Sequence, residues 1–280
     1  MYLVNGNASQ TVPIADRGFQ YGDGLFETIE IINQQPVFLR QHWQRLQTGC
    51  RKLLIPIPDI HQLLSEIKAV CMSAPVSGRA VLKLILTRGA GGRGYRLPDN
   101  ATSTRVLSLH PFPDYPDAYQ QDGVCARICE TRLGLSPALA GIKHLNRLEQ
   151  VLARAEWSDT SIQEGIMLDA NEHVIEGTMT NLFYYKDKQL FTALLDQSGV
   201  AGVMRACIMT LCSEHRQPVF ERRYGLTDLL SADEVFLSNA IIGIWPVKQI
   251  GGHVFPVGPF SQQLQWWLIS FKTAGIGFDL

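Results

Sequence analysis

Pro111, Pro113 and Pro116 fall within six residues of one another, in the stretch His110-Pro111-Phe112-Pro113-Asp114-Tyr115-Pro116-Asp117. Proline donates no amide hydrogen bond and pushes the residue before it away from helical angles, so neither a helix nor an interior strand can run through this stretch. The chain is therefore predicted to divide here. The division gives a small N-terminal domain over residues 1–110, a linker over 111–121 and a larger C-terminal domain over 122–280. With 280 residues to share, each half is long enough to bury a core.

On either side of the break the apolar pattern switches between the two-residue period of strands and the longer period of helices. Residues 1–38 read as a β-meander that turns at Asn5-Gly6 and at Asn33-Gln34-Gln35, with a β-rich run over 25–32. Residues 40–53 place Trp43, Leu46, Cys50 and Leu53 on one helical face, and a second helix is predicted from an Asp59 N-cap to Met72. Strands follow over 79–87 and 104–109. The second half reads as strands over 124–131, 165–168, 174–175, 182–185, 219–223 and 234–237. Helices are predicted from about 143, over 202–214, over 227–230 and over 262–271. Mixed patterns in both halves predict an α/β (α+β) class, with a small N-terminal α/β domain and a larger C-terminal mixed α/β domain.

Charge excludes one class of partner. The 25 Lys and Arg against 26 Asp and Glu, a net charge of -1, are dispersed without runs, which argues against a phosphate-tracking nucleic-acid surface. No stretch approaches the roughly 20 apolar residues of a membrane span, and Met1 to Gly6 lacks a basic start, so a cytoplasmic protein is expected. The six cysteines contain no Cys-x-x-Cys pair, and the seven histidines form no His-x-His or His-Glu-x-x-His pair. They read as reduced thiols and as histidines without metal-ligand spacing. Any cofactor is expected to be organic.

The densest chemistry lies at Gly141-Ile142-Lys143-His144-Leu145-Asn146-Arg147-Leu148-Glu149-Gln150-Val151-Leu152-Ala153-Arg154. Leu145, Leu148, Val151, Leu152 and Ala155 recur at helical steps, which predicts an amphipathic helix with Lys143 at or just before its first turn. The positive end of the helix dipole would there favour the neutral, nucleophilic amine. Taken singly, a lysine is more often a solvated surface side chain. Glu176 sits at a strand end, where it reads either as the partner of a protonated ring nitrogen or as a surface turn residue. Gly199-Val200-Ala201-Gly202-Val203-Met204-Arg205 opens a helix with glycines, and Ser238-Asn239-Ala240-Ile241-Ile242-Gly243 follows a strand; either could present backbone N–H groups to a phosphate. The run from Arg88 to Arg96, with four glycines and three arginines, reads as a flexible anion-binding loop.

In this order the segments resemble the fold-type IV family of pyridoxal-phosphate enzymes, which includes D-amino-acid and branched-chain aminotransferases and aminodeoxychorismate lyases. The resemblance runs from Asp16 to Val247. It implies that Lys143 carries the Schiff base, Arg45 binds the cofactor phosphate, and Glu176 pairs with the pyridine nitrogen. It also implies that the backbone at Val203-Met204 and Ala240-Ile241 receives the phosphate. The Lys143 stretch, Gly91-Gly92-Arg93-Gly94-Tyr95 and Leu195-Asp196-Gln197-Ser198-Gly199-Val200 are most similar to the lyase branch. That branch implies a folate-pathway lyase that releases 4-aminobenzoate and pyruvate from 4-amino-4-deoxychorismate, with Phe26, Arg93 and Tyr95 on the substrate side. Family members are generally homodimers.

The D-amino-acid aminotransferase pattern places an Arg-x-His trap at Arg93-Gly94-Tyr95, a tyrosine at Phe26 and a serine-like residue at Met179, and this chain departs from all three. Ala240 replaces the usual threonine of the second phosphate loop. Two other functions fit the same cofactor residues: an aminotransferase for D- or branched-chain amino acids, and a pyridoxal-phosphate-binding protein without turnover.

Overall fold

The computed structural model describes residues 1–280 and splits into two compact units. The first comprises Met1–Pro113, Ile142–Asn146 and Lys272–Leu280; the second comprises Asp114–Gly141 and Arg147–Phe271. The segment carrying Lys143 and the last residues of the chain thus belong to the N-terminal unit, although the division expected from the prolines assigns both to the C-terminal one.

In the first unit, β1 (Tyr2–Val4), β2 (Asn7–Ala8), α1 (Arg17–Tyr21), β3 (Gly24–Ile32), β4 (Gln35–Pro36), α2 (Leu39–Leu53), α3 (Ile60–Cys71), β5 (Arg79–Thr87) and β6 (Thr104–Pro111) follow in order. Six strands form one antiparallel sheet in the order β2-β1-β6-β5-β3-β4. Apolar residues alternate along β3 and β5, and Ile29, Leu82, Leu84 and Leu86 are buried, as the two-residue period of a sheet with one covered face requires. Asp59 caps α3 by accepting the Gln62 amide at 2.8 Å.

The second unit contains α4 (Ala118–Gln121), β7 (Val124–Ile128), α5 (Leu148–Arg154), β8 (Glu164–Leu168), β9 (Val174–Gly177), β10 (Asn181–Lys186), β11 (Gln189–Ala193) and α6 (Val203–Glu214). It continues with β12 (Val219–Arg222), α7 (Leu226–Leu230), β13 (Glu234–Asn239), β14 (Gly243–Ile250), β15 (His253–Val254) and α8 (Pro259–Ala274), whose last turn falls in the first unit. Its nine-stranded sheet runs β12-β11-β10-β13-β14-β7-β8-β9, with β15 paired to β14, and β9 also pairs with β10 through Glu176 and Asn181. Strands β10, β13, β14, β7, β8 and β9 therefore close into a ring. Leu182, Tyr184, Leu237, Trp245, Val247 and Ile166 fill one core, while Cys129, Ala153, Trp157 and Met167 form a smaller one beneath α5.

The helix expected from about residue 143 starts only at Leu148. The residues before it are held extended against the edge of β3, because Lys143 O accepts the Phe26 amide and the Leu145 amide donates to Gly24 O, each at 3.0 Å. Asn146 Nδ2 then donates to Gly22 O at 3.0 Å. The expected apolar face is also turned: Gln150 and the small Ala153 face inward, whereas Leu148, Val151 and Leu152 are exposed. Lys143 is thus beyond reach of the dipole, which acts within the first turn.

Candidate active site

In the N-terminal unit, the Lys143 backbone is fixed by the β3 edge, and its Nζ lies 4.4 Å from the centre of the Phe26 ring. Both side chains are half-buried. On the next residue of β3, the buried Glu27 carboxylate accepts Arg45 Nε at 2.9 Å, a second short contact from Arg45 Nη2, and His42 Nδ1 at 2.6 Å. His42 and Arg45 are three residues apart on α2 and share a face, so one carboxylate engages both. Burial alone would raise the Glu27 carboxyl, but the Arg45 charge and the His42 hydrogen bond outweigh it and hold the pKa at about 2. Burial pushes the His42 imidazole down, assisted by the Arg45 and Lys143 charges, against the pull of Glu27.

The loop of residues 88–96 differs from the expected flexible anion binder. Arg88 is buried, pairs through Nε and Nη2 with Asp23 at 2.7 and 2.9 Å, and donates to the carbonyls of Leu53 and Leu54 at 2.6 Å. Its charge is spent inside the fold. Arg17, also buried, bonds Asp23 at 2.9 Å and reaches the Gly94 carbonyl at 3.0 Å, which anchors the loop. Burial would raise the Asp23 carboxyl, but Arg88 and Arg17 draw it down. Arg96 is exposed and pairs with Asp99. Arg93 and Tyr95 are also exposed, with the Tyr95 ring 5.6 Å from that of Tyr21.

In the C-terminal unit, Glu176 is buried on β9 and its Oε2 accepts the Val200 amide at 2.8 Å. Burial lowers the pKa of Arg147, whereas the Glu176 and Glu149 charges act to raise it. Asn181 Nδ2 donates to Val200 O at 2.8 Å, tying β10 to the same stretch of backbone. Val203 and Met204 form the first turn of α6, whose N-cap, Gly202, supplies no capping side chain. A side chain there is excluded, since a Cβ on Gly202 would lie 2.0 Å from Asn181 Oδ1. At the second loop, Asn239 Oδ1 accepts the amides of both Ile241 and Ile242, at 2.8 and 2.9 Å. Ile241 therefore already has an acceptor within the fold, in contrast to the expectation that its amide is offered to a phosphate. Ser198 Oγ and Ser238 Oγ are buried without a hydrogen-bond partner. A carboxylate, a helix start without a side-chain cap and two unpartnered hydroxyls fit a polar, anion-bearing heterocycle such as pyridoxal phosphate.

Sequence reasoning missed Glu27 and His42. Two signals pointed to them: a carboxylate inside the β-rich run over 25–32, and His42 one turn before Arg45 on a predicted helix.

The chain belongs to the amino-transferase class IV family, whose model matches residues 24–250. It is 40% identical to the aminodeoxychorismate lyase of Vibrio harveyi over 95% of this chain and 98% of that one. It is 30% identical to the D-alanine aminotransferase of Listeria monocytogenes over 98% of this chain and 97% of the relative. The crystal structure of 4-amino-4-deoxychorismate lyase from Pseudomonas aeruginosa superposes with a TM-score of 0.92 at 46% identity, covering 96% of this chain and 98% of that one. The fold is that of the fold-type IV enzymes.

Proposed function

We propose that this chain is a pyridoxal-phosphate-dependent carbon–oxygen lyase that converts 4-amino-4-deoxychorismate to 4-aminobenzoate and pyruvate, a step of folate biosynthesis. One observation carries the reading: the likeness to the Pseudomonas aeruginosa lyase extends over nearly both whole chains at 46% identity. The D-alanine aminotransferase, over a similar span, stands at 30%.

Lys143 is assigned as the covalent attachment point, Arg45 and the backbone at Val203, Met204 and Ala240 as phosphate ligands, and Glu176 as the partner of the pyridine nitrogen. Ile241 contributes through its place in the Asn239 turn. When bound, the cofactor supplies an electron sink for a carbanion next to the substrate nitrogen. Lys143 Nζ takes the proton from the ring carbon that bears the amine. The carbon–oxygen bond to the enolpyruvyl group then breaks, the ring becomes aromatic, and Lys143 Nζ returns a proton to the departing enol, which leaves as pyruvate. The face of Phe26 beside Nζ lends cation–π support to the protonated amine between these transfers. Arg93 and Tyr95 are assigned to the two substrate carboxylates.

The test is to mix the cofactor-loaded protein with enzymatically generated 4-amino-4-deoxychorismate and follow both products. Equal amounts of 4-aminobenzoate and pyruvate are expected. Absence of 4-aminobenzoate, with conversion of the bound cofactor to its amine form by D-alanine or L-leucine, would transfer the assignment to an aminotransferase.

No helix is long and apolar enough to cross a membrane. The reading places the enzyme in the cytoplasm as a homodimer, and the exposed Leu148, Val151 and Leu152 on one short helix support such an interface. Val151→Glu combined with Leu152→Glu is expected to convert a dimer to a monomer in sedimentation velocity. A double variant that still sediments as a dimer would remove this face from the interface.

A further inference from the structure

Most buried glutamates of the chain have an evident partner. Glu27 meets Arg45, Glu30 meets Arg79 and Lys272, Glu66 meets Arg105, and Glu234 caps α8 through the amides of Phe260 and Ser261. Glu164, fully buried at the start of β8, receives five hydrogen bonds, all, as at Glu234, from neutral groups. Its Oε1 accepts the amides of Gly165 and Thr178 at 2.9 and 3.1 Å and the Thr178 hydroxyl at 2.5 Å. Its Oε2 accepts the Met179 amide at 3.2 Å and the Thr180 hydroxyl at 3.0 Å. Four of the five donors belong to one turn, residues 178–180, which directly follows the strand that carries Glu176. Burial pushes the Glu164 carboxyl up, so the donors offset only part of the cost of an anion here.

The turn is closed tightly upon this carboxylate. Gly177 N donates to Thr180 O at 2.7 Å, and a Cβ on Gly177 would lie 2.2 Å from Thr180 Oγ1 and 2.8 Å from Glu164 Oε2. Beyond the turn, Asn181 pairs across the sheet with Glu176 and holds Val200 O, while the Val200 amide holds Glu176 Oε2. The backbone of Glu176 and, through Val200, its carboxylate are therefore both tied to Asn181, the residue that follows the turn held by Glu164.

We propose that Glu164 is a positioning residue: by holding the 178–180 turn it fixes the aim of the Glu176 carboxylate at the pyridine nitrogen. The inference rests on the assignment of Glu176 made above. Glu164→Gln preserves size but turns one acceptor oxygen into a donor, which must face either the Thr178 or the Met179 amide. In the holoenzyme this variant is expected to raise the Kd for pyridoxal phosphate by about tenfold, equivalent to about 1.4 kcal/mol. It is also expected to shift the pH at which the visible band of the bound cofactor changes, and to lower kcat while leaving KM for substrate within about twofold. Thr178→Val and Thr180→Val each remove one hydroxyl donor and leave the carboxylate in place. They are expected to shift the band in the same direction by a smaller amount, and they keep the test open should Glu164→Gln not fold.

Glu176→Gln serves as the reference. Its cofactor band should shift further than that of Glu164→Gln. A silent Glu176→Gln would overturn the assignment on which the inference rests. A responsive Glu176→Gln beside unchanged Kd and unchanged pH dependence in the Glu164 and threonine variants would overturn the positioning role itself. None of these spectroscopic readouts involves the substrate, so the lyase reading can fail without touching them.

Discussion

Lys143→Ala is expected to lower turnover of 4-amino-4-deoxychorismate by about 10³-fold or more while leaving the fold intact. The fold should survive because the segment is held by main-chain bonds, Lys143 O to the Phe26 amide and the Leu145 amide to Gly24 O, which alanine retains. What is lost is the amine beside Phe26, to which the proposed mechanism assigns both cofactor attachment and proton transfer. Lys143→Arg separates these roles from charge. It restores a cation above the Phe26 ring yet can neither attach the cofactor nor give up a proton near neutral pH, so it is expected to be as inactive as the alanine variant. The readouts are 4-aminobenzoate fluorescence for turnover and the visible absorbance of the bound cofactor for attachment. Retention of more than about a tenth of wild-type activity by either variant would end the assignment.

That lysine stands out in the sequence, but the helix dipole that its neighbours suggest does not reach it. The spacing of Leu145, Leu148, Val151 and Leu152 suggests a helix whose dipole would tune the amine, whereas residues 142–146 lie extended along β3 and the helix begins at Leu148. Helical periodicity misled because the leucines and valine of α5 face outward in this chain, and the inward positions are filled by Gln150 and Ala153. A pattern read for burial does not distinguish a core from an interface. The sequence reading also leaves three strands unassigned, β11, β14 and the two-residue β15. Pro246 argues against an interior strand, yet β14 tolerates it because pairing with β7 begins only at Val247, next to a bulge. Arg88 illustrates the converse. Its place in a glycine-rich loop suggests anion binding, but Asp23 and two main-chain carbonyls neutralise it inside the fold, a pairing across 65 residues that no local pattern reveals.

Residue identity carried further than local pattern wherever the family match spoke for function, and less far for the groups that support those residues. Arg45 was visible as a candidate; the Glu27 and His42 that orient it were not, because their meeting depends on how α2 packs on β3. Glu164 was likewise hidden, since four of its five donors lie 14 to 16 residues away along the chain.

Glu27→Ala is expected to destabilise the cofactor-loaded protein by about 3–5 kcal/mol, because it leaves Arg45 and His42 facing a buried gap in place of a carboxylate. The isosteric Glu27→Gln should cost less and isolates the charge. In the wild type, Arg45 and His42 hold the carboxyl at about 2 against an ordinary value of 4.5, a difference that corresponds to about 3 kcal/mol. A carboxyl depressed in the folded state binds its proton more tightly once the chain unfolds, so its contribution is complete above pH 4.5 and is lost as pH falls toward about 2. His42 acts in the same direction over a higher range: burial lowers its pKa from 6.5, so acid favours the unfolded chain, in which the imidazole can charge. Replacing Glu27 by glutamine removes the first effect and, by withdrawing the carboxylate that supports the imidazolium, strengthens the second. Denaturant unfolding across this range should therefore give a Glu27→Gln curve that is flatter than wild type below pH 4.5 and steeper near pH 6. The same variant frees the Arg45 guanidinium from its bidentate partner, so the Kd for pyridoxal phosphate should rise as the arginine loses its fixed orientation. Parallel stability curves for the two proteins would show that Glu27 is not held ionised by this pair. An unchanged cofactor Kd alongside divergent curves would confine Glu27 to stability and leave Arg45 oriented by other contacts.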